Sequence, residues 1–429
     1  MNGSEAQSAV LVGAGERRFM GELARLANTL GLRIGGSLEQ NRMDGAGYLG
    51  RGKREELATL VEESGARFVV TDDELTASQA RVLEQSCDAI VVDRTELIIR
   101  IFESHARDAA SRLEVELADL EYRLPRIKGR NPALSRLGGG VGGGRITRGP
   151  GEQQLEYDRR AIRRRMEVIN RKLAEEKCAR EIRGARLREE GPPTVSLVGY
   201  TNAGKTTILN ALCGADRPTA NRLFETLETT TRFVSGNSTG PDGPASSGKP
   251  AFVVTDTVGF IRKLPTQLVE SFSSTLESAR DAGILVLCAD ASSSQLDEEI
   301  EAVLQSLRHG DRAHEEADGA STPTILCLNK IDLLSDEELM EIRFRYPSAV
   351  CISANENVGP LLEAIYEEIS SRGERLELLI PHTHYADASR LYGKAEIHHS
   401  VDTNDGVWLD VTIPPSIKKH YTHYQTTNG

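Results

Sequence analysis

Over the first hundred residues, short apolar runs alternate with amphipathic stretches. SAVLVGAG (8–15), FVVTDD (68–73) and AIVVDRT (89–95) are rich in β-branched residues, and helical spacing fills the stretches around 16–30, 53–64 and 76–86. That alternation predicts a small α/β domain with a parallel sheet over 1–97. The pattern then changes. Leu113, Leu117, Leu120 and Leu124 fall at seam spacing, as do Leu155, Ile162, Met166, Ile169 and Leu173. These spacings predict an antiparallel helical hairpin over 98–190, with a glycine-rich tip loop at 129–151. Two seams in one chain satisfy each other, so a monomer is expected.

Gly191, Pro192 and Pro193 end the second helix, and a further α/β pattern begins: TVSLVGY, AFVVTDT, GILVLCAD, TILCLNK and SAVCISA. It predicts a second α/β domain over 191–374 with a mixed, mostly parallel sheet. Two polar inserts, 235–249 and 309–321, cannot support a core and read as loops. Strands near 376–380, 395–400 and 407–413 around a short helix predict a small α+β appendage over 375–429. The fold class is α/β.

Composition changes this picture little: 39% hydrophobic and 27% charged residues are ordinary for a soluble protein of several domains. No apolar run approaches the roughly 18 residues of a spanning helix, and no secretory leader is visible. Six cysteines lie far apart without a CxxC or Cys/His pattern, which fits a reducing cytoplasm and argues against a disulfide framework or zinc site. Charge changes more. Residues 121–190 hold 19 Lys/Arg against 10 Asp/Glu, a surplus of +9 in a chain of net −12, leaving −21 elsewhere. Such asymmetry marks a candidate polyanion-binding face, although a solvated helix surface would give the same count.

The strongest chemical signal is GYTNAGKTT (199–207), a GxxxxGKT loop between a buried strand and a helix. Its nucleotide-binding candidates are Gly199, Tyr200, Thr201, Asn202, Ala203, Gly204, Lys205, Thr206 and Thr207. Backbone N–H groups face phosphates there, Lys205 reaches the β/γ oxygens, and the Thr206 hydroxyl suits Mg²⁺. DTVG (256–259) supplies Asp256 for the metal and the Gly259 N–H for a γ-phosphate. NKID (329–332) supplies Asn329, Lys330 and Asp332; the Asp332 carboxylate can accept two hydrogen bonds from guanine, a donor pair that adenine lacks. SAN (353–355) supplies Ser353 and the Ala354 N–H. In this order, each at a strand end, the four pieces predict a GTPase. Within FETLETTTRF (224–233), Thr230 is the candidate switch threonine and third metal ligand, with Thr229 and Thr231 as rivals. Lys205, Thr230 and Gly259 are the candidate catalytic residues. Phe260 stands where many GTPases place a water-orienting glutamine, which predicts slow intrinsic hydrolysis. YLGRGKREEL (48–57) admits a phosphate site at a helix start, but GRGK lacks the full spaced loop and an ordinary turn explains it as well.

Taken together, the chain resembles the HflX family of translation-factor-related GTPases. RGPGEQQLEYDRR (148–160), the segment 91–126, LFETLETTTR and DTVGFI carry the resemblance, which covers about 40–420. It implies a cytoplasmic, Mg²⁺-dependent GTPase that binds the large ribosomal subunit and its rRNA and splits stalled or idle ribosomes. It also implies a hairpin whose tip approaches the peptidyl-transferase region and, in some members, ATP binding at the N-terminal domain with RNA unwinding. Arg145, Arg148, Arg159, Arg160, Arg163, Arg164 and Arg165 are the candidate rRNA contacts. A GTP-regulated assembly factor or rRNA chaperone without splitting activity remains the alternative. The chain departs from the family pattern at Gln153, where a small hydroxyl residue is usual, and at the residues before Thr230. The insert 235–249 has no functional reading.

Overall fold

A computed structural model describes residues 7–16, 18–127, 150–214, 230–236, 248–263, 282–309 and 322–426. Most of the tip loop with Arg145 and Arg148, the rival Thr229 and most of both polar inserts lie outside the described residues. The described residues fall into two compact units, one within Met1–Glu176 and the other, apart from short segments, within Lys177–Gly429.

In the first unit, β1 (Ser8–Ala14), β2 (Arg33–Gln40), β3 (Phe68–Thr71) and β4 (Ile90–Val92) form a four-stranded sheet of order β2-β1-β3-β4. Every pairing in it is parallel. The intervening helices α1 (Met20–Thr29), α2 (Arg51–Ser64) and α3 (Ala77–Cys87) match the periodic stretches. Strand β2 has no counterpart in the pattern: RIGGSLEQ carries two glycines and three charged or amide side chains, so neither composition nor β-branching marks it. The apolar stretch after β4 is not one helix. It forms α4 (Arg94–His105) and α5 (Ala109–Arg126), and the expected domain boundary at residue 97 falls inside α4. The break has a local cause, because the Asp108 side chain accepts the Ser111 N–H and caps a new helix. Asp93 caps α4 in the same way at Glu96.

Helix α6 (Pro150–Glu190) is the long second helical segment. Its seam residues Ile162, Met166 and Leu173 are half-buried and Ile169 is fully buried, while Arg163 and Arg164 are exposed. Arg165 meets Glu116 of α5 through two hydrogen bonds of 2.7 Å, which ties the two helices together.

The second unit holds a six-stranded sheet of order β10-β9-β8-β5-β7-β6. Its strands are β5 (Thr194–Gly199), β6 (Thr230–Val234), β7 (Phe252–Asp256), β8 (Ile284–Asp290), β9 (Thr324–Asn329) and β10 (Val350–Cys351). All pair in parallel except the edge strand β6, which runs antiparallel to β7. Helices α7 (Lys205–Leu212), α8 (Leu296–His309), α9 (Asp336–Arg345) and α10 (Gly359–Ser371) follow their strands. On one face the core joins Val195, Leu197, Phe252, Val254 and Val286 with Ile365 of α10. Strand β8 is buried along its whole apolar run, so that central strand is apolar on both faces, as a covered parallel sheet requires. A three-stranded antiparallel sheet, β11 (Glu374–Ile380), β12 (Glu396–Thr403) and β13 (Gly406–Ile413) in the order β11-β13-β12, follows with α11 (Tyr385–Leu391) and α12 (Pro415–Tyr421). Its strands lie within three residues of their expected places.

Candidate nucleotide site

The candidate residues stand at the carboxyl ends of β5, β7, β9 and β10, where open α/β sheets bind ligands. Gly199 closes β5, and the loop 200–204 turns directly into α7. Gly204 makes that turn possible: its φ is +88°, and a Cβ there would lie 2.2 Å from the Asn329 side-chain nitrogen. Asn202 also takes the left-handed region, at φ 66°.

Lys205 is buried and donates from Nζ to the carbonyls of Gly199 and Tyr200, at 3.0 Å each. Its ammonium is thus held over the loop. Burial pulls the Lys205 pKa below its ordinary value, while the nearby Asp256 carboxylate opposes that shift. Thr206 Oγ1 donates to Asp256 Oδ2 at 2.8 Å, which brings the two expected metal ligands together. They offer hard oxygen donors, one of them a fully buried carboxylate, and this set suits Mg²⁺. Thr230 opens β6 directly opposite Asp256 in the antiparallel register, so the two share a face of the pair. Thr231 instead bonds across the strands to Thr255, Oγ1 to Oγ1 at 3.2 Å. Of the two described threonines, Thr230 and not Thr231 stands in register with Asp256.

Gly259 packs against the loop. A Cβ at this position would lie 2.8 Å from Thr201 Cα and 3.1 Å from Lys205 Nζ, so no side chain fits without displacing the lysine. The next residue adds a link that the sequence did not reveal. The Phe260 N–H donates to the Gly199 carbonyl at 3.1 Å, and the Phe260 carbonyl accepts the Thr201 N–H at 2.7 Å. Its ring is buried. Phe260 therefore fastens the segment after Asp256 to the phosphate loop through its backbone, and its side chain serves the packing. The Tyr200 hydroxyl adds a second tie by accepting the Arg262 N–H at 2.7 Å.

At the base side, Asn329 is the hub. Its Nδ2 donates to the Ala203 carbonyl at 3.0 Å, and its Oδ1 accepts the Ala354 N–H at 2.9 Å. One side chain thus joins the phosphate loop to the SAN segment. Lys330, at φ 66°, pairs with Asp290 at the end of β8, at 2.6 Å. Asp290 was missed from sequence; its position at the end of a seven-residue apolar strand was the available signal. Asp332 is exposed in the turn that follows, and Ser353 Oγ is buried with no hydrogen-bond partner among the described residues. Thr207, the last residue of the motif, lies in the first turn of α7, half-buried.

The candidate RNA-contact residues belong to the first unit. Arg159 is half-buried, Arg160 pairs with Glu156 one turn back at 3.2 Å, and Arg165 is committed to Glu116. Arg160, Arg163, Arg164 and Arg165 are all exposed. The GRGK stretch starts α2 as an ordinary helix end: the Gly50 N–H donates to the Gln40 side chain, and Lys53 pairs with Glu56.

Comparison with known proteins places these elements. Residues 17–103 match the family model described as GTP-binding GTPase N-terminal, and 105–186 match GTP-binding GTPase Middle Region. Residues 194–330 match 50S ribosome-binding GTPase. GTPase HflX of Caldanaerobacter subterraneus subsp. tengcongensis is 38% identical over 420 residues, 97% of this chain and 92% of that protein. GTPase HflX of Escherichia coli is 38% identical over 373 residues, 86% of this chain and 82% of that protein. Among solved structures, the GDP complex of SsGBP aligns at TM-score 0.46 and 21% identity, covering 85% of this chain and 98% of that one.

Proposed function

The chain belongs to the HflX family of GTPases, and from that premise we propose that it binds the large ribosomal subunit and uses a GTP-dependent switch to dissociate stalled or idle ribosomes. Hydrolysis of GTP to GDP and phosphate is the family's reaction, and this chain carries the residue set for it. Loop N–H groups and Lys205 hold the β- and γ-phosphates, and the Asp332 carboxylate accepts from guanine. Thr206 and Asp256, joined by Thr230 when the switch closes, would hold Mg²⁺, which neutralises phosphate charge as the bond to the leaving group breaks. The Gly259 N–H stands to donate to the γ-phosphate. Loss of that phosphate releases the Gly259 and Thr230 contacts, which is how such switches change partner affinity.

Phe260 has no group to orient a water, and its ring is packed away. Hydrolysis by the isolated chain is therefore slow, and the ribosome completes the site. The observation that carries the ribosome reading is the exposed Arg163–Arg164 pair on α6, within the basic stretch of an otherwise acidic chain. The printed description of the 194–330 family model, 50S ribosome-binding GTPase, points to the same partner. Arg145 and Arg148, which lie outside the described residues, remain candidate contacts by their sequence alone. A cytoplasmic location follows from that partner and agrees with six unpaired cysteines; among the described residues no helix is long and apolar enough to cross a membrane.

Sedimentation of purified intact ribosomes through sucrose, with protein and GTP or a non-hydrolysable analogue, tests this. Dissociation into subunits is the expected result. Co-sedimentation with immature subunits alone would favour the assembly-factor reading, and no association would remove the ribosome from the account.

A further inference from the structure

Helix α9 has two unlike faces. Ile342 and the following Tyr346 pack with Ile331, Leu334 and Cys351 against the edge of the second sheet, which holds the helix in place. The opposite face carries Met340 and Phe344, which are 71% and 90% exposed. They stand four residues apart, so they are neighbours on one helix surface. A single exposed apolar side chain is ordinary, whereas an adjacent pair of large ones on a charged helix is the kind of feature that marks an interaction site. By the same spacing Met340 is bordered by Asp336, Glu337 and Arg343, and Phe344 by Glu341; all four are exposed. Arg345 does not offset these acids, because it is paired with Asp297.

We propose that this face of α9 is a docking site for a basic protein surface that presents an apolar centre ringed by lysine or arginine. Three carboxylates against one guanidinium around an apolar pair select that partner by charge, while the buried Met and Phe contacts supply the anchor. The same ring disfavours a second copy of this face, since a two-fold contact would set acid against acid. Nucleic acid is disfavoured for the same reason. Met340 and Phe344 follow Asp332 by eight and twelve residues, with Phe344 in the last turn of α9.

The test uses the full chain and two synthetic amphipathic helical peptides with the same leucine and phenylalanine stripe, one bordered by lysines and one by glutamates. Fluorescence anisotropy should show the lysine-bordered peptide binding wild type at least ten-fold more tightly than the glutamate-bordered one. The exposed double substitution M340S/F344S, and separately E337K/E341K, should each remove at least ten-fold of that affinity with GTP binding unchanged. Equal affinity for both peptides, or for wild type and M340S/F344S, would overturn the proposal. A photo-crosslinking side chain at position 344, mixed with purified large ribosomal subunits, then asks for the natural partner. A crosslink to a Lys/Arg-rich ribosomal protein is expected; a crosslink only to RNA or to a second copy of the chain would overturn it. The peptide assay contains no ribosome, so it gives its answer even if the ribosome reading fails.

Discussion

The two sheets differ in strand order, one parallel throughout and the other parallel but for its edge strand β6, and they put different chemistry at their carboxyl ends. In the second unit, the strand ends open into a glycine loop with Lys205, the hydrogen-bonded candidate metal ligands Thr206 and Asp256, and the Asn329 hub. In the first, the ends of β1, β3 and β4 bring together Gly13, Gly15, Asp72, Asp73 and Asp93. The carboxylates there are engaged internally. Arg94 is 1% exposed and reaches Asp72 at 2.7 Å as well as Glu22. Asp93 caps α4, accepts from Leu75 and meets Arg126 at 3.1 Å, and burial still pushes its pKa up. Tyr48 donates to Asp73 at 2.8 Å and accepts the Ala14 N–H, and burial drives its hydroxyl far above the usual tyrosine range. The cations of that crevice are spent on its own carboxylates, Arg94 on Asp72 and Lys263 on Asp72 and Asp73 at 2.9 and 2.6 Å, whereas the other sheet holds the Lys205 ammonium over a glycine loop. Fold alone therefore does not make a nucleotide site; the residues at the strand ends do.

Substitutions can break this comparison. The largest effect is expected at Arg94→Met, which removes the buried guanidinium from Asp72 and Glu22 and should cost about 3–5 kcal/mol in the first unit. Urea unfolding, with hydrogen exchange at the β1 and β3 amides, would measure it; a nucleotide-type role for this crevice would instead show as lost nucleotide binding in a stable protein. Lys205→Ala should do the reverse, lowering the hydrolysis rate by roughly 100-fold to 1,000-fold, the scale of losing a preorganised phosphate donor, with the unfolding midpoint held. Phosphate release at saturating GTP reads it. Asp332→Asn should exchange base preference from GTP toward xanthosine triphosphate, by about 2 kcal/mol or roughly 30-fold in affinity; competition binding between the two nucleotides gives the ratio. The smallest effect belongs to Thr76→Ala. It removes the Thr76–Gln79 capping box of α3, which should cost about 1 kcal/mol in the first unit and leave GTP hydrolysis unchanged.

The sequence made the second sheet far more legible than the first. All its strands but the edge strand β6, TTRFV, are apolar runs that lead to a residue with distinctive chemistry, so period and motif point to the same place. Strand β2 was invisible because Gly35 and Gly36 replace the β-branched residues that would mark it. The α4–α5 break was hidden in continuous helical periodicity, although Asp108 offered a cap. Individual roles at the candidate site were only partly readable. Asn329 and Asp332 were recognisable by spacing, whereas the Lys330–Asp290 pair and the Phe260 backbone ties join residues far apart in sequence and carry no motif. Arg165 looked like one more member of an arginine run, and only the packing of α5 beside α6 shows it bound to Glu116.

The central claim is a GTPase whose own site is incomplete and whose partner is the large ribosomal subunit. Single-turnover GTP hydrolysis with and without purified large subunits, compared between wild type and R163E/R164E, tests it directly. The account predicts slow hydrolysis by the chain alone, stimulation of at least ten-fold by the subunits, and loss of most of that stimulation in the double variant. Fast unassisted hydrolysis, or a rate indifferent to the subunits, would contradict it.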